Sequence, residues 1–156
     1  MKSSDKENVL IFGVGNTGRQ DDGLGWLFLD YLERLNLNFR IEYRYQLQIE
    51  DAELLSHYNT VLFIDATKEK TEKGYSFKEC NASENYSFST HALNPETILF
   101  LTNSIYKKFP KAFVLGIEGY TWELEIGLSK VAKQNLSCVT KVFTEKLLND
   151  YLYVNN

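Results

Sequence analysis

The sequence predicts a three-layer α/β/α sandwich around a mostly parallel, twisted sheet of about five strands, its order beginning 2-1-3, in a single domain over residues 1–156. Three observations carry that reading. The run Val9-Leu10-Ile11-Phe12, continued by Val14 across Gly13, lacks polar alternation, as a strand buried on both faces does. Thr60–Asp65 and Ala112–Ile117 are two further runs of the same kind. Between them lie segments with helical periodicity, and right-handed crossovers in successive βα units set the first and third strands side by side.

At 156 residues the chain can bury roughly two thirds of its unfolded surface, so it needs neither disulfides nor a structural metal to fold. Its 44% hydrophobic and 24% charged residues exclude the composition of a disordered chain. A net charge of −4, with no Lys and Arg cluster in the sequence, argues against nucleic acid as a partner and gives no sign of acidic substrates. Cys80 and Cys138 stand far apart in no metal-ligand spacing and read as reduced, structural thiols. The N-terminal apolar run is too short for a signal peptide, and nothing approaches the ~18 apolar residues of a membrane span. The expectation is a cytoplasmic monomer without membrane association.

In chain order, Gly13, Gly15 and Gly18 let the backbone turn tightly after the first strand, and Asp21-Asp22 opens a helix at its positive dipole end. Leu24, Leu27, Phe28, Tyr31, Leu32 and Leu35 recur three or four apart, predicting a helix over 22–36 with Asp30 and Glu33 facing out. Phe39–Tyr45 alternates like a half-exposed strand near a sheet edge. A short helix is expected from Ile49 to Tyr58, its exposed end carrying a solvated His57. The Thr60–Asp65 strand then ends on a carboxylate. Lys68–Lys73 is a charged turn and Tyr75–Lys78 alternates like an edge strand. Residues 80–93 form a polar loop before a helix announced by Asn94 as N-cap and Pro95 at its first position. Ile98, Leu101, Ile105 and Phe109 are its expected buried stripe. After the third apolar strand, Tyr120–Gly127 is a surface loop holding Trp122, Glu123 and Glu125. A long last helix starts near Ser129 with Ala132, Leu136, Val139, Phe143 and Leu147 inward.

The 2-1-3 order brings the loops carrying Asp22 and Asp65 to a topological switch point, where open α/β sheets place their ligands. His91 precedes the Asn94-capped helix, on a loop expected at the same edge. Two carboxylates and one imidazole form an incomplete, mixed shell suited to a divalent transition metal with open positions. Singly, each residue reads as ordinary: a helix-start acid, a turn-former and a loop histidine. Gly13-Val14-Gly15-Asn16-Thr17-Gly18 also fits G-x-G-x-x-G after a strand, a weak sign of nucleotide binding. Against it, Asp21-Asp22 would repel a pyrophosphate, and Tyr45-Gln46-Leu47-Gln48 holds no acid for a ribose. Neither G-x-S-x-G nor H-E-x-x-H is present.

Gly13-x-Gly15-Asn16-x-x-Arg19-x-Asp21-Asp22-Gly23-x-Gly25 closely resembles the opening motif of the hydrogenase maturation endopeptidases. The strand ending in Asp65-Ala66, His91, Gly116-Ile117-Glu118 and Gly127-Leu128-Ser129 follow in that family's order. The resemblance implies an endopeptidase, aspartyl-type or metal-dependent, that clips a C-terminal peptide from the nickel-loaded precursor of a nickel-iron hydrogenase large subunit. That precursor would be its partner. It further implies that Asp22, Asp65 and His91 touch the substrate's nickel. No cofactor would be permanently bound, although other divalent metals can occupy the site. For the cleavage itself, either a metal polarises the scissile carbonyl or an aspartate activates water as general base; Asp65 is the preferred base, with Asp22 and His91 as ligands, and the roles of these residues can be exchanged.

The sequence departs from the family pattern at Thr17-Gly18 and Gln20, where relatives often show Pro and Gly, and at Gly119, where a proline is missing. The second change implies a freer loop to Gly127. Gln46–Asp51 lacks the glycines common there. Two rival readings are a metal-dependent peptidase of the same fold acting on another precursor, and a nucleotide-binding regulator using the GVGNTG loop.

Overall fold

Strand β1, Val9–Val14, is buried along almost its whole length inside the sheet. The computed structural model describes residues 8–84 and 93–153. After a 3-10 turn at Gln20–Gly23 come α1 (Leu24–Arg34), β2 (Arg40–Arg44), α2 (Asp51–Leu55), β3 (Thr60–Thr67) and β4 (Tyr75–Cys80). They are followed by α3 (Pro95–Tyr106), β5 (Lys111–Glu118), α4 (Lys130–Val142) and a π-helical segment, Phe143–Leu152. The sheet order is β2-β1-β3-β5-β4, parallel except for β4, which runs antiparallel to β5 at one edge. The expected start 2-1-3 and both edge strands are as read from the alternation.

Successive side chains of the three central strands go to opposite faces and create two cores. Val9, Ile11, Leu62, Ile64, Phe113, Leu115 and Ile117 pack against α1, α4 and the π-helical segment. Leu10, Phe12, Val61, Phe63 and Ala112 pack against α2 and α3 on the other side. Phe12 and Phe63, paired in register, stack with ring centroids 5.4 Å apart. Burying each such side chain contributes about 1.5–3 kcal/mol.

Four expectations about helices and thiols are corrected. First, α2 is shorter than Ile49–Tyr58, because at its two ends the amides of Ala52 and Glu53 and of Ser56 and His57 close tighter bonds three residues back. In α3 the inward stripe is Ile98, Leu99 and Thr102, while Ile105 and Phe109 are exposed. The Thr102 hydroxyl tolerates burial because it donates to the Ala52 and Ile98 carbonyls. The last helix changes character at Phe143, where the Thr140 carbonyl accepts from the Thr144 hydroxyl as well as the Phe143 amide, and Thr144 in turn meets the Tyr31 hydroxyl at 2.7 Å. The wider π turns keep Phe143, Leu147, Leu148 and Leu152 all buried. Finally, Cys80 is a buried thiol that burial, aided by Glu96, pushes up to about 12, whereas Cys138 is exposed on α4 and has no packing role.

Candidate active site

The site is built by the turn after β1. Gly15 has φ +144°, and a Cβ there would lie 2.0 Å from the Asp22 carbonyl oxygen, so only glycine lets the loop fold back on itself. The Gly15 amide donates to Arg44 O, Asn16 N to Asp22 O, Gly18 N to Asn16 Oδ1 and Arg19 N to Asn16 O. Those four amides therefore have protein acceptors and offer no cradle to a phosphate, which removes the physical basis of the nucleotide reading. Gly25, in the first turn of α1, sits where a Cβ would approach the Ile64 carbonyl to 2.6 Å and the Val14 carbonyl to 2.9 Å. This close approach presses the start of α1 onto the ends of β1 and β3.

The adjacent acids, expected as a matched pair at a helix start, point to different places. They lie in the 3-10 turn, not in α1, and Asp21 is fully buried. Its Oδ2 accepts from the Tyr120 and Thr121 amides and the Ser129 hydroxyl, and its Oδ1 accepts from the Ser129 amide. Burial alone would raise the Asp21 carboxyl, but these donors, the Ser129 amide foremost, bring it below the ordinary carboxylate value. Asp21 thus ties the β1–α1 loop to the β5–α4 loop. The same interface carries Gln20 N to Glu125 O, Glu123 N to Gln20 Oε1, and Arg19 Nη1 to Trp122 O. The Tyr120–Gly127 loop is consequently held, contrary to the freer loop expected from the missing proline. Gln20 has φ +52°, the left-handed backbone for which a glycine would be suited.

Asp22 turns the other way, into an open cavity of about 300 Å³ lined by Arg19, Asp22, Asp65, Ala66, Lys68 and Trp122. Asp65 reaches it from the carboxyl end of β3, beside Val14 of β1 and Gly116 of β5. Burial, together with the charge of Asp22, pushes the Asp65 carboxyl up to about 7; the Ala66 amide opposes this. Asp22 is raised too, by burial, while Arg19, the Asn16 amide and Lys68 pull it back. Lys68 lies over the Trp122 ring, 5.2 Å from its centroid. The two acids that the topology was expected to juxtapose line one cavity. His91 lies outside the described residues.

Arg19, Lys68 and Trp122 were not singled out as site residues in the sequence. Arg19 stood inside the glycine motif, and Lys68 follows a strand that runs two residues past Asp65. Trp122 gave only the signal of an aromatic in a polar loop. Among the described residues, no cluster of three or more His, Cys, Asp or Glu is placed to hold a metal ion.

A mostly parallel sheet in the order 2-1-3-5-4 with helices on both faces is an α/β sandwich, and that fold is shared with the hydrogenase maturation proteases. The NiFe hydrogenase maturation protease HycI from Thermococcus kodakarensis superposes with TM-score 0.66 at 19% identity, covering 89% of this chain and 91% of its own. The hydrogenase maturating endopeptidase HybD from E. coli gives 0.63 at 19% identity, with 88% and 93% covered. An endopeptidase from Escherichia coli gives 0.70 at 19% identity, with 92% and 94% covered. No protein-family model matches the sequence, and no curated relative is similar to it.

Proposed function

We propose that this protein is an endopeptidase that removes a C-terminal peptide from the nickel-loaded precursor of a nickel-iron hydrogenase large subunit. The observation that carries the reading is the carboxylate pair, Asp22 and Asp65, facing one cavity at the switch point of a fold shared with such enzymes. Two like charges held close share a proton until a cation arrives. A nickel ion already bound by the precursor would relieve that repulsion, and so would mark the substrate as ready. Asp22 and His91 act as its further ligands in this reading, with Asp65 as the base.

Water is activated by Asp65 Oδ, whose carboxyl, at about 7, is poised for general-base work near neutrality. The water oxygen adds to the scissile carbonyl carbon, its proton passes to Asp65, and that proton then goes to the departing amine. No permanent cofactor is needed.

The test mixes purified protein with nickel-loaded and nickel-free precursor and follows the large subunit by intact mass. Shortening of the loaded form alone is expected; an unshortened loaded precursor contradicts the activity. Replacing His91→Ala should abolish cleavage, and unchanged cleavage would remove His91 from the site.

A further inference from the structure

A second cavity lies away from the acidic pair. It is a groove of about 470 Å³ between β4, the turn before it, and the end of the last helix. Its floor carries Phe77 and the partly exposed Tyr151, with ring centroids 4.7 Å apart. Lys70 and Lys73 reach it from the turn, Lys78 from β4 and Lys146 from the π-helical segment. None of these four lysines forms an ion pair among the described residues. Glu69 and Glu72 share the wall, yet the lining stays net positive in a chain whose net charge is −4. The cluster escapes the sequence because its members come from three separate elements.

Two more features specify the kind of ligand. Among the described residues β4 is an edge strand whose only strand partner is β5, so its outer side presents backbone groups that no described strand pairs, over roughly 20 Å. The preceding turn is firmly set, since Glu118 accepts from the Thr71 amide at 2.9 Å and its hydroxyl at 2.7 Å. One edge lysine such as Lys78 would serve only to discourage aggregation. Lysines converging on the same edge from a braced turn and a facing helix exceed that need, and they complement negative charge.

We propose that this groove binds an extended, acidic segment of a protein partner, added as a further strand along the free edge of β4 with its carboxylates on Lys70, Lys73, Lys78 and Lys146. Main-chain pairing supplies affinity and the lysines supply selectivity. An unpaired strand edge favours a peptide over a nucleic acid, which has no amide ladder to offer. The proposal does not depend on the peptidase reading, because binding is measured without cleavage.

The experiment titrates the full chain with a synthetic peptide of alternating Glu and Thr, in parallel with a Lys-Thr peptide and an oligothymidylate of equal length, while following amide hydrogen exchange. The Glu-Thr peptide should slow exchange in Tyr75–Cys80 about tenfold and bind less tightly as salt rises. The double variant Lys78→Glu with Lys146→Glu should weaken it about tenfold or more, and the Gln double variant less, with melting temperatures unchanged. Absence of binding, equal binding of the Lys-Thr peptide, preferential binding of the oligothymidylate, unchanged β4 exchange, or wild-type affinity in the Glu variant would each overturn the proposal.

Discussion

Asp65 lies near the end of β3, after residues that are almost all aliphatic or aromatic, and it lines a small cavity with another acid. Its carboxyl is displaced upward, chiefly by burial, so the folded chain holds a proton there that the unfolded chain has lost. Stability should therefore fall as pH rises from about 4 to about 7, the range between its unfolded and folded values. Asp65→Asn should stabilise the protein by on the order of 2 kcal/mol at about pH 8, the gain vanishing near about pH 4. Urea denaturation at the two pH values checks this. Asp21 behaves oppositely. Its carboxyl is depressed by four donors despite burial, so its stabilisation is present above the ordinary carboxylate value and is lost as pH falls through the folded one. Asp21→Asn should cost about 3 kcal/mol at neutral pH and less in acid, seen as a melting temperature deficit that narrows as pH drops.

At the scale of elements, the close approach of α1 to β1 and β3 at Gly25 sets the reach of the turn that carries Asp22. Gly25→Ala would drive a methyl group into the Ile64 and Val14 carbonyls, which are backbone and cannot swing aside. A loss of about 2–3 kcal/mol is expected in denaturant unfolding. The central strands were legible because burial on both faces leaves an unbroken apolar run, as in Val9–Phe12 and Val61–Ile64. The edge strands were legible because half-burial leaves alternation, as in Arg40–Arg44. What stayed hidden was decided by long-range hydrogen bonds. Asp21 and Asp22 are neighbours of one chemical type, and only the amides of Tyr120, Thr121 and Ser129, some hundred residues away, separate a structural acid from a site acid. Equally, helical periodicity does not record the change to π turns at Phe143.

For the whole molecule, the doubly wound topology gathers two acids from separate βα units at one edge, and the two-core packing holds that edge firm. No helix among the described residues is long and apolar enough to cross a membrane. If Asp65 is the base, kcat/KM for cleavage, which reports the protein before substrate binds, should rise with pH through about 7 and level off above it, since only the deprotonated carboxylate accepts a proton from water. A rate that falls over the same range would assign it the acid's part. The most direct measurement compares wild-type protein with Asp65→Asn on the same nickel-loaded precursor, reading the large subunit by intact mass. Wild type should trim the precursor while Asp65→Asn leaves it full-length, slower by about 10² or more; trimming by Asp65→Asn at the wild-type rate would contradict the acidic pair as the seat of the chemistry.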